Sequence, residues 1–519
     1  MEAYKKLETT FTKIYRFRHL ISMALWDIQV LMPRGGAEAR GAAIAELQLH
    51  VHELLTDPKM RDLLLEAEKN KEQLGTLQQA NLREIRLEWE RENLLPEEII
   101  KKKSELTTRA QQIWRKSREE NDFSQWLPML KELVALFYET GVALAGNTGK
   151  HPYEALLQLY EPGMSLERID EIFNEIKSWL PGLIREVMEK RKAAGEEVLT
   201  PVGPFPLEAQ KELSRYCMNV WKFDFDGGRQ DCSLHPFCGG VKEDVRITTR
   251  YDESRFETGL MAVIHETGHA KYEQNGGPKE MITQLIARYR SLGVHEGQSL
   301  FAERMVARSK PFIEFLLPKL KELFGDQPAF TPENMVRIIQ RVNPSFIRIT
   351  SDELCYTMHI ILRYEIERGL IEGKLRVEDV PAVWNEKMKS YLGIETLGND
   401  REGCLQDIHW SIGDFGYFPT YSLGALVAAQ LMASIRRDLG NDVVDDCIRK
   451  GELGAILEKQ REKIWQHAPP TQPRSFSQKR RESHLTHGSS GSTLSGVIVT
   501  TWVNPSCVCV CSYWGKASE

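Results

Sequence analysis

The segment His265-Glu266-Thr267-Gly268-His269 limits what this chain can fold into more than any other stretch. Two histidines four positions apart on a helix share one face, a single turn from each other, so both imidazoles reach one metal ion. The glutamate after the first histidine then stands where it can act as general base on a water bound to that metal. This requires a regular helix, and the flanking sequence supplies one. Ser254-Arg255-Phe256-Glu257 has the form of a capping box, and Phe256, Leu260, Val263 and Ile264 follow at helical spacing. Asn275-Gly276-Gly277-Pro278 predicts the stop, with glycines for a left-handed cap and a proline that cannot continue the helix.

Most of the remaining chain reads as helix. Amphipathic patterns cover about 4–26, 37–55, 58–93, 96–119 and 124–145, and Ser165 opens another that reaches about 192. They return after Pro278 at about 279–290, 295–308, 311–324, 332–341, 345–369, 378–391, 421–438, 441–450 and 453–466. Only 198–250 differs: Pro201, Pro204 and Pro206 punctuate it, and 221–225 and 244–249 alternate like short strands. The expectation is a mainly α fold with a small antiparallel β element just before the metal helix. An edge strand there can pair with an extended peptide through main-chain hydrogen bonds. One domain is expected over 1–467, with cap helices over about 1–195 and the metal site and substrate cleft over about 196–467. From Ala468 the helical period stops, and 468–519 reads as an atypical tail, disordered or produced by a change of reading frame.

Composition removes several classes of function. A formal net charge of −6 gives no reason to expect nucleic acid or an anionic membrane as partner. No apolar run approaches the ~20 residues needed to cross a bilayer. The first residues lead into an amphipathic helix and lack the apolar core of a signal peptide. Six of the nine cysteines are scattered without metal-ligand spacing, and Cys507, Cys509 and Cys511 crowd into the tail. A cytoplasmic enzyme is expected.

A catalytic zinc takes three protein ligands and keeps a fourth position open. A third histidine in the extended form of the motif needs Gly at 272 and His at 275, where this chain has Tyr272 and Asn275. A glutamate from a second helix is therefore expected, from Glu280, Glu296 or Glu303. Glu280 follows the Gly-Gly-Pro break too closely to fold back. Glu296 lies 27 positions after His269, which leaves room for a break and an antiparallel helix, and it is preferred over Glu303.

Six segments in order resemble the carboxypeptidase Taq family of metallocarboxypeptidases over roughly 1–467. They are His235-Pro236-Phe237; Asp244, Arg246 and Thr248; His265 to His269; His295-Glu296-Gly297-Gln298; Ile347 to Asp352; and Gly403 to Trp410. The resemblance implies a helical, cleft-containing fold like that of neurolysin. It implies one zinc per chain on His265, His269 and Glu296, with cobalt a possible substitute, and a homodimer. The activity implied is release of C-terminal amino acids from peptides with broad specificity, and His235 is expected to contact substrate. His409 and Tyr421, spaced as in the neurolysin-like enzymes, are the candidates for stabilising the oxyanion, with Tyr417 in reserve. An exopeptidase also needs a fixed cation for the terminal carboxylate. Arg348 is the candidate, and its structural alternative is an ion pair with Asp352, four residues on. Two other functional readings stand beside this one: an oligopeptidase or dipeptidase with the same zinc chemistry, and a non-catalytic helical binding protein with a vestigial site.

Overall fold

In the computed structural model, the described residues are 1–467 apart from Asn147, Glu196 and Arg290. The expected tail, with its cysteines, lies outside them.

The architecture is almost wholly helical, with one three-stranded sheet. Helices Glu2–Val30, Ala37–Thr56, Pro58–Lys69 and Thr76–Leu94 close a small core of their own around Tyr4, Leu7, Phe11, Leu64 and Ile85. Two larger cores follow. The first is built from helices Phe123–Ala145, Leu166–Ala194 and Glu353–Ile371, with Trp126, Phe173 and Ile361 fully buried. The second surrounds Trp221, Ile264 and Phe312. The helix Pro419–Leu439 belongs to both: Leu423 packs in the first core, and Ala428, Leu431 and Ile435 pack in the second. The candidate site lies along this helix.

Local signals explain several element ends. Ser165 caps Leu166–Ala194 by accepting the N–H of Arg168 at 3.2 Å. The motif helix spans Phe256–Asn275, but the expected capping box does not form. Ser254 bonds back to Asp252 instead, and Arg255 occupies the cap position with its side chain on Glu257 and no capping bond to the backbone. The segment 345–369 does not start as helix either. Asp352 accepts the N–H groups of Leu354 and Cys355, so the helix begins at Glu353. Over the described residues 279–289 there are only the short turns Lys279–Met281 and Leu285–Ala287. Buried amides replace the helical ladder there: Asn81 accepts from Ile286 N and donates to Gln284, whose own amide donates to the Glu8 carbonyl.

The sheet is mixed, which corrects the antiparallel expectation. Strand β1 (Gly228–Cys232) runs parallel to β3 (Asp244–Thr249), and β2 (Cys238–Val241) runs antiparallel to β3 along its other side. The segment 221–225 is not a strand. Trp221 ends the helix Leu207–Val220, and the Asp224 carboxylate then accepts the N–H groups of Asp226 and Gly227 in a tight turn. On the free side of β2, Ser22 Oγ bonds both the N–H and the carbonyl of Gly240, tying the first helix to the strand. No helix among the described residues is long and apolar enough to cross a membrane.

Candidate metal centre

His265 and His269 project from the motif helix toward a second helix, Leu292–Leu300, which carries Glu296. The two helices touch at Gly268, where a Cβ would fall 2.5 Å from the Gln298 carbonyl oxygen and 2.6 Å from Ser299 Cα. The glycine inside the motif thus brings the Glu296 carboxylate within reach of the two histidines. A third helix closes on the same place, because a Cβ at Gly424 would fall 2.6 Å from Glu296 Cγ.

Glu296 Oε2 lies 3.3 Å from His269 Nε2 and 3.6 Å from His265 Nε2. Neighbouring ligand atoms about 2.0–2.1 Å from one tetrahedral zinc are separated by roughly 3.3–3.4 Å. Two imidazoles and one carboxylate at this spacing fit a divalent metal with an open fourth position. Among the described residues, no other group of three His, Cys, Asp or Glu side chains converges in this way.

The surroundings orient each ligand. His265 Nδ1 lies 2.9 Å from Glu303 Oε2, and a proton held there turns Nε2 toward Glu296 and His269, where a bound metal would displace the second ring proton. Burial opposes charge on Glu303, yet Arg308 and His265 hold its carboxyl well below the usual range. Burial likewise opposes charge on His265, but Glu296, Glu303 and Glu266 raise it to about 9, the mark of a site whose carboxylates favour a cation. His295 stacks on His269 with ring centroids 4.4 Å apart and bonds Glu273 at 2.8 Å, and Glu273 also faces Lys242. Ser299 Oγ donates to Glu296 Oε2 at 3.1 Å. Gln298 accepts from Trp465 Nε1 at 2.9 Å, which ties the end of the described chain to the ligand helix. Glu266 is buried, and desolvation raises its pKa.

A second cluster forms a wall beside the metal centre. His409 Nε2 and Tyr421 OH are 3.2 Å apart, so the structure brings these two candidates together, with Tyr417 against both rings. Burial lowers His409 to about 3, so the ring is neutral. Arg348 is 5% exposed and belongs to the same wall, its guanidinium 4.8 Å from the Tyr421 ring centroid. Its carboxylate partner is Asp407, bonded through Nε and Nη2, and not Asp352, which is taken by the helix cap. Arg363 Nη1 donates to Asp407 Oδ2, which Arg348 Nε also reaches. Nη1 and Nη2 of Arg348 each carry two N–H bonds and each uses one, so a second remains on each nitrogen. His235 stands exposed between β1 and β2, away from direct contact with the ligands.

Sequence reasoning missed Arg304. It lies in the π-helical segment Phe301–Ala307, above the Tyr356 ring at 4.8 Å, and has no hydrogen bond or ion pair among the described residues. Its charge helps to depress Glu296 and Glu303. A π-helical turn shifts the register by one residue and is not visible in a helical period.

A family profile described as Carboxypeptidase Taq (M32) metallopeptidase matches residues 6–485. The chain is 36% identical over 463 residues to "Carboxypeptidase 1" of Bacillus subtilis, covering 89% of this chain and 91% of that protein. It is 35% identical over 463 residues to "Thermostable carboxypeptidase 1" of Thermus thermophilus, with 87% and 90% covered. Among solved structures, "Trypanosoma Cruzi Metallocarboxypeptidase 1" superposes with a TM-score of 0.90 at 64% identity, covering 90% of this chain and 93% of that one.

Proposed function

The chain belongs to the carboxypeptidase Taq family and is a metallocarboxypeptidase, a peptide hydrolase, and on that premise we propose that it uses zinc to release C-terminal residues with broad specificity. The convergence of His265, His269 and Glu296 beside the buried Glu266 carries this reading. Zinc in that position, or cobalt in its place, would acidify a bound water and polarise the scissile carbonyl. Glu266 is the general base: burial raises its pKa, which favours a carboxylate that takes up a proton and returns it to the leaving amine. The neutral His409 and Tyr421 supply the second donor to the developing oxyanion.

The terminal carboxylate of the substrate is assigned to Arg348, through the N–H bonds that Asp407 and Tyr356 leave over. Arg304 is the alternative, supported by its unpaired guanidinium next to the same tyrosine. His235 is assigned to substrate farther out, on the exposed loop. A cytoplasmic homodimer with one metal per chain completes the proposal and rests on the family resemblance.

The test is purified protein with added zinc and an N-terminally blocked peptide, followed by mass spectrometry. Stepwise loss of single residues from the C-terminus, abolished by C-terminal amidation, is expected. Internal cleavage of free and amidated peptides alike would replace this reading with an oligopeptidase.

A further inference from the structure

The chemistry above leaves the buried carboxylate of Glu367 unused. Glu367, on the helix Glu353–Ile371, is completely buried and accepts three hydrogen bonds. Its Oε1 receives the Tyr153 hydroxyl at 2.8 Å and the Gly416 N–H at 2.6 Å, and its Oε2 receives Trp410 Nε1 at 2.7 Å. Trp410 directly follows His409, and Gly416 precedes Tyr421 by five residues. One carboxylate therefore fastens both ends of the turn that runs from His409 toward Tyr421.

The turn is confined on every side. The Asp414 N–H bonds the His409 carbonyl at 2.9 Å. Gly416 presses on the backbone of Leu156 and Leu157, on the short helix that also carries Tyr153, and a Cβ there would fall 2.8 Å from Leu157 N. Arg363, one turn before Glu367, stacks on Trp410 and Phe418 at 4.6 Å from each ring. The N–H groups of Trp410 and Gly416 can only donate, so both carboxylate oxygens must accept. Burial works against this and lifts Glu367 to about 7, and the three donors and Arg363 pull the other way.

We propose that Glu367 is a positioning residue for peptide hydrolysis: by bridging Trp410 and Gly416 it sets the distance between His409 and Tyr421. The inference rests on the reading of His409 and Tyr421 as oxyanion donors. Glu367 touches neither substrate nor metal, so it acts only through that pair and on the reaction step more than on substrate affinity.

Glu367→Gln keeps the shape but turns an amide N–H₂ against a group that can only donate. The expected result is a tenfold or greater fall in kcat, with KM within about twofold and metal content unchanged. In a double-mutant cycle with His409→Ala, the two losses should not multiply, because both remove the same contribution. Trp410→Phe removes one of the three donors and leaves the carboxylate in place. It should lower kcat with the same non-additivity, and it decides the matter if Glu367→Gln does not fold. Unchanged kcat in both variants, or losses that multiply fully with His409→Ala, overturns the proposal. If His409→Ala and Tyr421→Phe both keep the parent kcat, the oxyanion assignment itself falls, whatever Glu367 does.

Discussion

His265 Nδ1 lies 2.9 Å from Glu303 Oε2, and Glu303 is held on its other side by Arg308 at 2.6 Å. The glutamate that competed with Glu296 as third ligand is thus committed to the back of the first histidine, seven positions along the same chain segment. It holds the ring's orientation from behind and is not part of the cluster formed by His265, His269 and Glu296.

This division of roles separates the two variants. Glu296→Ala removes a ligand and should not retain stoichiometric zinc after dialysis. Glu303→Ala leaves all three ligands and should retain zinc with affinity lowered about 10- to 100-fold, read by competition with a chelator. Zinc kept by the Glu296 variant and lost by the Glu303 variant would reverse the assignment.

Glu266→Gln should bind zinc as the parent does and lose about 10²- to 10⁴-fold in kcat, the range expected when a general base is removed. Metal analysis and turnover on the same sample check it. Parent-like turnover at equal metal content removes Glu266 from the mechanism.

The two arginines can be told apart with amidated substrate. A charge-assisted bond to the terminal carboxylate contributes about 2–4 kcal/mol, so removing the responsible arginine should lower kcat/KM on free peptides about 30- to 1,000-fold. That variant should no longer distinguish free from amidated peptide, and the other should still do so. Arg348→Ala is the expected match. If Arg304→Ala loses the discrimination and Arg348→Ala keeps it, the carboxylate belongs to Arg304.

Acid should weaken the fold through Glu273. Burial opposes its charge, but the His295 hydrogen bond and Lys242 hold it at about 2, below its usual 4.5. A depressed carboxylate stabilises the native state fully above the unfolded pKa and loses that contribution as pH falls toward the folded one. Between about pH 4.5 and 2 this amounts to roughly 3 kcal/mol. Urea unfolding should show Glu273→Gln clearly less stable than the parent at pH 7, with the gap narrowing by pH 3. A constant gap across that range would contradict it.

The parts of the site that sequence reveals are those set by local geometry. His265, Glu266 and His269 sit within five residues on one helix, so their spacing alone places them. Glu296 is preferred from its distance to His269, but Glu303 stays open in the sequence; the two separate only in three dimensions, where Glu296 stands beside both histidine Nε2 atoms and Glu303 is paired with Arg308. The partner of Arg348 is not readable. Asp352 is near in sequence but is consumed by capping the next helix, and the true partner, Asp407, is 59 positions away. Strand β1 is equally hidden: Gly228-Arg229-Gln230-Asp231-Cys232 has no apolar alternation, and its extended form comes from pairing with β3. Three of the four residues in Gly297, Gly268, Gly424 and Gln298 have no side chain at all. Their role shows only once the helices they allow to touch are seen together.

The bond from Trp465 Nε1 to Gln298 Oε1 makes the last described residues part of the packing around the ligand helix. Gln298 stands two positions from Glu296, and among the described residues its side-chain Oε1 is otherwise met only by the Gln460 amide, at 3.3 Å. While a ribosome is still making the second half of the chain, the motif helix and the ligand helix can both have formed, yet the buried amide between them lacks its acceptor's partners. Gln298 can gain these two donors only once residues 460–465 have been made, some 160 positions after it. Nascent chains stopped short of that point should be poor keepers of metal.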